Sequence, residues 1–197
     1  KFRLLTRVVF WLALSSPAMG LDPTSPFGVT AFIPSPTRWQ AMQDAMIVWN
    51  RCQFSWRDVE TSQNVFNWSQ TDQMVNEANS RGLKIYAGLG YTPTWASSGG
   101  QSYSPPTNTA DWIDYCNQVV NRYKTSIQHW EIWNEPNLSQ FWGATRQQYI
   151  STILTPAADA IHAADPNAKV VAPEISTCTA SGCQANTWMT HVLNQAG

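Results

Sequence analysis

Residues 129–137, with the sequence HWEIWNEPN, carry the strongest structural signal in the chain. Residues 127–133 are rich in aromatic and β-branched side chains, which is typical of a buried strand. Pro136 has no N–H group and does not continue a central strand, so the pattern predicts that the strand ends beside Glu135. A carboxyl group at that point, next to the Asn134 amide, is placed to act as a general acid.

Strand-like and helix-like patterns alternate along the chain, which is typical of parallel βαβ units. Strands are predicted at residues 27–33, 47–56, 83–89, 127–133 and 168–172. Helices are predicted at residues 37–46 and 69–82, and two more are predicted to begin near Thr109 and at Thr145. Gln148 completes a capping box with Thr145. Pro156 predicts a kink or break in the last of these helices. Between the third strand and the third helix lies a long loop, residues 91–108, and loops of that length are usually functional.

The tetrapeptide WNEP at residues 133–136 resembles the fourth-strand signature of clan A of the glycoside hydrolases, which includes the cellulase-like family five and the xylosidase-like family thirty-nine. Two further units resemble the same clan in the correct order and spacing. The second unit contains RCQFSW at residues 51–56, and the third contains TPTWA at residues 92–96. The resemblance runs from about residue 27 to residue 176.

This resemblance implies a (β/α)8 TIM barrel, of which the chain covers roughly the first five βα units. A closed barrel takes about 250 residues and eight units, and its active-site residues stand at the carboxyl ends of the strands. Five residues on different strands fall near such ends: Arg51, Trp95, Asn134, Glu135 and Glu174. We therefore expect residues 21–197 to be the N-terminal portion of a single barrel domain that is inactive and folds poorly alone.

The resemblance also implies a retaining mechanism, which uses two carboxyl groups. It assigns Glu135 as the acid/base and puts the nucleophile, another Glu, on strand seven, beyond the end of this chain. Glu174 belongs to the fifth unit and is not expected to be the nucleophile, while Glu60 is expected to serve structure. Asn134 would bind the sugar hydroxyl next to the reacting carbon, or else only terminate the strand. Arg51 would keep the nucleophile ionised, or else form a structural ion pair.

The chain has eleven Trp among 197 residues and a net charge of −1. Indole faces suit stacking on sugar rings, so Trp95, Trp133 and Trp142, near strand ends or the loops that follow, are the candidate substrate-binding rings. The near-neutral charge excludes an electrostatic footprint for nucleic acid or an acidic membrane. The expected partner is therefore a carbohydrate substrate. No cofactor is expected, and no metal, because the three His residues share no ligand spacing.

The N-terminal residues resemble a secretory signal peptide at residues 1–20, since three positive charges precede an apolar run and small residues at Ala18 and Gly20. The apolar run is shorter than the ~18 residues of a membrane span. The protein is therefore expected to be secreted or periplasmic, with no membrane attachment after cleavage. Export would permit a disulfide between Cys178 and Cys183, whereas Cys52 and Cys116 are expected to be unpaired core thiols.

Three classes of function remain open from the sequence. The first is an exported retaining enzyme that hydrolyses O-glycosidic bonds in a polysaccharide or oligosaccharide, represented here by its N-terminal part. The second is a non-catalytic carbohydrate-binding or scaffold protein derived from the same barrel. The third is a secreted α/β protein without a sugar ligand.

Overall fold

The computed structural model describes residues 21–177 and 184–195. The predicted signal peptide and the predicted disulfide between Cys178 and Cys183 lie outside these residues. Five strands form one parallel sheet in the order β1-β2-β5-β6-β7. They are β1 (Gly28–Thr30), β2 (Trp49–Ser55), β5 (Lys84–Gly90), β6 (His129–Ile132) and β7 (Lys169–Val171). All five predicted strands are therefore present, each shorter than or shifted slightly from its predicted bounds.

A helix follows each of the first four parallel strands, as the βαβ pattern predicts. The helices are α1 (Pro36–Asp44), α2 (Trp56–Val59), α3 (Ser69–Ser80), α4 (Thr109–Tyr123), α5 (Arg146–Tyr149), α6 (Thr155–Ala164) and α7 (Ala185–Gln195). A small antiparallel hairpin, β3 (Glu60–Ser62) and β4 (Val65–Phe66), follows α2. Neither α2 nor this hairpin was predicted, because elements of two to four residues are too short to show a periodic pattern. No helix among the described residues is long and apolar enough to cross a membrane.

Local sequence signals set the helix ends. Thr145 and Gln148 form the predicted capping box, with the Thr145 hydroxyl accepting from the backbone of Gln148. Gly82, which follows α3, has a φ of 68°, the left-handed conformation that glycine adopts without a steric penalty. Pro156 lies at the start of α6 and does not end the helical run, which continues without a gap from α5 into α6. Directly before α6, the helix widens into a π-helical segment, Ile150–Leu154, which is consistent with local disruption of the hydrogen-bond ladder.

The two faces of the sheet differ in chemistry because successive side chains of a strand point to opposite sides. The helix-facing side is apolar: Phe54 and Trp130 are fully buried, and their rings meet edge to face. Phe54 also meets Tyr123 of α4. Cys52 and Cys116 are buried free thiols, as predicted. The inner face, where Arg51 and Glu131 lie, is polar and holds the candidate site.

Candidate active site

Strand β6 leaves regular geometry just before Glu135, as Pro136 predicts. Trp133 and Glu135 have φ angles of 74° and 44°, values that are uncommon for residues with side chains. Backbone bonds to both neighbouring strands hold this turn, since the N–H of Trp133 donates to Leu89 O at 2.8 Å and that of Glu135 donates to Glu174 O at 2.9 Å. The turn therefore presents Asn134 and Glu135 at the carboxyl end of the sheet.

A cleft of about 540 Å³ opens at this end of the sheet. Asn134, Glu135 and Glu174 line it, so three of the five residues predicted near strand ends meet in one place. Glu135 is partly exposed there, as a proton donor to a substrate must be. The Glu174 side chain is more open, at 55% exposure. Asp58 and Gln53 also line the cleft, which therefore contains three carboxyl groups and two side-chain amides.

Arg51 lies just behind the cleft and contacts residues that line it. Its Nε donates to Glu131 Oε2 at 2.6 Å, and its Nη2 donates to Asn134 Oδ1 at 3.0 Å. Nη1 lies 3.8 Å from Glu174 Oε2 and makes no hydrogen bond among the described residues. The structure therefore contains the ion pair that was one of the two alternatives for Arg51, and it also leaves a buried donor free for a further acceptor.

Glu131 is the site residue that sequence reasoning missed. Its side chain is 1% exposed, and its Oε1 accepts from the Glu174 backbone N–H at 2.8 Å. Burial raises the pKa of the Glu131 carboxyl, and the hydrogen bond from Arg51 opposes that rise. Gly88 pairs with Glu131 across the strands, and a Cβ there would lie 3.2 Å from Glu131 Oε2. A signal was available, because His129 and Glu131 alternate with Trp130 and Ile132 along the strand.

The three predicted substrate-binding tryptophans are not among the residues that line this cleft. Trp133 and Trp142 are 1% and 2% exposed and pack edge to face against each other. Their indole N–H groups donate to Phe141 O and Thr145 O. Trp95 is partly buried against Trp56 and donates to Glu60 O. The rings of Trp133 and Trp142 point into the protein, where their large apolar area is buried, and their position near a strand end did not predict this direction.

The aromatic rings that do line the cleft are Phe32, Tyr91 and Phe141. The Arg51 guanidinium lies 5.2 Å from the Phe32 ring centre, and Tyr91 packs on Trp133. Burial raises the pKa of the Tyr91 hydroxyl, and its hydrogen bond with Asn134 acts in the opposite direction. Tyr91 is the first residue of the long predicted loop, and the sequence analysis did not single out this ring.

Glu60 has the structural role expected of it. Its carboxylate accepts from the Trp56 indole N–H at 2.6 Å and from the backbone N–H of Asn64 at 2.7 Å, in the turn of the β3–β4 hairpin. Among residues 21–177 and 184–195, no group of three His, Cys, Asp or Glu side chains is arranged to hold a metal ion.

The five parallel strands, with helices between them and polar side chains gathered at their carboxyl ends, are arranged as in part of a (β/α)8 barrel. Similar solved structures show this fold. A family 39 glycoside hydrolase from Bacteroides cellulosilyticus WH2 matches 74% of this chain and 31% of its own, with a TM-score of 0.63 and 19% identity. A monomeric beta-xylosidase from Caulobacter crescentus CB15 matches 87% of this chain and 39% of its own, with a TM-score of 0.63 and 22% identity.

Sequence comparison leads to the family. The model of glycosyl hydrolases family 39 matches residues 46–194, well over half of the chain. The chain therefore belongs to glycosyl hydrolases family 39. An endo-1,4-beta-xylanase C from Phanerodontia chrysosporium is 29% identical over 126 residues, covering 58% of this chain and 30% of that protein. A beta-xylosidase from Geobacillus stearothermophilus is 26% identical over 143 residues, covering 66% of this chain and 27% of that protein. The chain thus spans under a third of these two curated relatives.

Proposed function

We propose that the complete protein hydrolyses O-glycosidic bonds in a polysaccharide or oligosaccharide by a retaining double displacement. The observation that carries this proposal is Glu135, a partly exposed carboxyl group in the cleft beside an Asn134 amide that Arg51 holds in place. Family membership supports it. The xylanase and xylosidase relatives make β-1,4-linked xylosides the first substrates to test.

In the first chemical step, Glu135 gives its proton to the glycosidic oxygen while the nucleophilic carboxylate attacks the anomeric carbon and the bond to the leaving group breaks. In the second step, the ionised Glu135 takes a proton from water, whose oxygen displaces the carboxylate. Retaining enzymes hold these two carboxyl groups about 5–5.5 Å apart. Asn134 would bind the hydroxyl next to the anomeric carbon, a contact that can strengthen in the transition state.

We place the nucleophile on a later strand of the complete barrel. Arg51 Nη1, which makes no hydrogen bond within the described part of the chain, supports this placement, because a buried guanidinium N–H suits another carboxylate and would keep it ionised. Labelling the protein with a 2-fluoro glycoside and sequencing the labelled peptide would test it. We expect the label on a glutamate beyond Glu135 and Glu174 in the chain. A label on Glu174 would overturn the placement.

The proposed role of Glu135 is tested with the Glu135→Ala variant of the complete protein. Hydrolysis of an unactivated glycan should fall at least about 100-fold, the usual contribution of a general acid. An aryl glycoside with an activated leaving group needs little protonation, so its first step should be spared. Azide should then rescue turnover, because it attacks the glycosyl-enzyme without deprotonation, and its product should retain configuration.

A matched control is Asp159→Asn, which removes an exposed carboxylate on α6 outside the cleft and should leave hydrolysis unchanged. Unchanged hydrolysis by Glu135→Ala would show that Glu135 is only a strand-end carboxylate. Glycan binding without hydrolysis by the folded wild-type protein would favour the carbohydrate-binding alternative.

A further inference from the structure

Glu131 does not line the cleft, yet its carboxylate is connected through hydrogen bonds to Asn134 and Glu135, which do. Oε2 accepts from Arg51 Nε, and Arg51 Nη2 donates to Asn134 Oδ1. Oε1 accepts from the Glu174 N–H, while the Glu174 carbonyl accepts from the Glu135 N–H. Glu131 is therefore two links away from Asn134 through side chains and two links away from Glu135 through the backbone.

The side-chain connection determines which atom of the Asn134 amide faces substrate. An asparagine side chain has one acceptor oxygen and one donor nitrogen. Because Arg51 has no acceptor, it bonds only to Oδ1, and the Nδ2 group is left for other partners. The Nδ2 group carries two hydrogens: one serves the hydrogen bond with the Tyr91 hydroxyl, and the amide offers the second to the cleft. A flipped amide would set Nδ2 against a buried guanidinium, two donors facing each other.

Arg51 needs a partner of its own to hold this position. Its side chain is 6% exposed and has four rotatable bonds leading to the guanidinium. The hydrogen bond with Glu131 raises the pKa of Arg51 despite the opposing effect of burial. The N–H of Glu174 binds the second oxygen of Glu131, so the carboxylate has little freedom to rotate. Gly88 leaves room for the pair, since a Cβ there would also lie 3.6 Å from Arg51 Nη2.

We propose that Glu131 is a positioning residue that sets the Asn134 amide, through Arg51, to donate a hydrogen bond to the hydroxyl beside the reacting carbon. This inference rests on the proposed function. It assigns Glu131 no proton transfer and no contact with substrate. Its contribution should therefore depend on the presence of both Asn134 and that hydroxyl.

The test is Glu131→Gln in the complete protein. The glutamine side chain has nearly the same shape, but its Nε2 is a donor, so it accepts from only one of the two donors that bind Glu131. We expect kcat/KM on an aryl β-xyloside to fall about 10- to 100-fold, mainly through kcat, as misplaced contacts commonly cost. On the corresponding 2-deoxy xyloside, which lacks the hydroxyl, the loss should be less than about 3-fold.

A double-variant comparison sharpens this test. Adding Glu131→Gln to Asn134→Ala should cost little beyond Asn134→Ala alone, because the amide that Glu131 orients is already gone. Equal losses on both substrates, or fully additive losses, would show a general structural role and overturn the proposal. Unchanged kinetics in a folded Glu131→Gln variant would overturn it as well.

If Glu131→Gln does not fold, Gly88→Ala provides a second test. It retains every charge and places a methyl group against the Glu131–Arg51 pair, so it should reproduce the same substrate dependence with a smaller loss. Equal losses on the two substrates would again contradict the proposal. A folded wild-type protein that hydrolyses none of the xylosides would refute the proposed function itself, whereas an active wild type with additive variants would refute only the role of Glu131.

Discussion

The two faces of the parallel sheet come from the same strands but are held together by different interactions. On the helix-facing side, Phe54 and Trp130 are completely buried among apolar side chains. On the inner side of the same strands, Arg51 and Glu131 are almost equally buried but are held by directed hydrogen bonds. The outer face gains its free energy from buried area, whereas the inner face only compensates the cost of burying its own charges. The buried charged residues of the inner face therefore fix the positions of side chains more than they stabilise the fold.

The largest stability effect is expected on the outer face. Trp130→Ala should reduce the free energy of unfolding by about 3–5 kcal/mol, because it removes a fully buried ring and leaves a cavity. Denaturant unfolding of the complete protein measures this loss. Trp130→Phe is the matched control: it retains an aromatic ring and removes an indole N–H that has no partner among the described residues. A loss as large with Phe as with Ala would show that ring burial is not the main stabilising factor.

Substitutions on the inner face should affect the free energy of unfolding and the activity differently. Arg51→Met leaves Glu131 buried without its partner and should cost about 3 kcal/mol of unfolding free energy. Changing both residues, as Arg51→Met with Glu131→Leu, should recover much of that stability, because paired buried charges exchange well for apolar groups. Activity should remain lost in both variants. A double variant no more stable than Arg51→Met would contradict the view that this pair contributes geometry more than stability.

The alkylation rates of thiols at successive positions of β2 can test that neighbouring side chains point to opposite faces of the sheet. Burial raises the pKa of the Cys52 thiol to about 12, so the native protein should protect it from alkylation. A cysteine introduced by Gln53→Cys lies one residue away, at a position that lines the cleft. It should react with iodoacetamide at least about 100-fold faster at pH 8, since the thiolate is the reactive form. Peptide mass spectrometry distinguishes the two sites, and similar rates would be evidence against the assigned strand direction.

The smallest effect is expected where an ion pair is open to solvent. Asp72 of α3 receives two hydrogen bonds from Arg122 of α4, and this contact lowers the pKa of the Asp72 carboxyl below its usual value of 3.8. Asp72→Asn should cost at most about 1 kcal/mol at neutral pH.

The sign of the pH effect follows from the lowered pKa. The contribution of Asp72 is present above the unfolded pKa and disappears as the pH falls through the lower folded pKa. Unfolding curves of Asp72→Asn and wild type should therefore differ at pH 7, and the difference should shrink as the pH falls below the usual value of 3.8. A difference that grew on acidification would contradict the pairing. High salt should also reduce the difference at pH 7.

Much of the fold could be predicted because its signals are local. Alternating strand and helix patterns located all five parallel strands, Thr145 and Gln148 formed the predicted capping box, and Pro136 marked where β6 stops. The carboxyl ends of parallel strands share one edge of the sheet, so residues near those ends could be grouped before the structure was known. Asn134 and Glu135 were found in this way. The short α2 helix and the β3–β4 hairpin were not, since they carry no periodic signal.

The amino-acid sequence by itself determined the order of the elements, the apolar strands and the position of Glu135 in the chain, because these depend on neighbours within a few residues. Only the tertiary structure decided which side chains meet. Trp133 and Trp142 follow the same strand as Glu135 but turn into the core, while Phe32 and Tyr91 reach the cleft from other strands. Arg51 and Glu131 are eighty residues apart in sequence. Their contact reaches across β5, which lies between their two strands, so it depends on the order and register of three strands and not on any single segment.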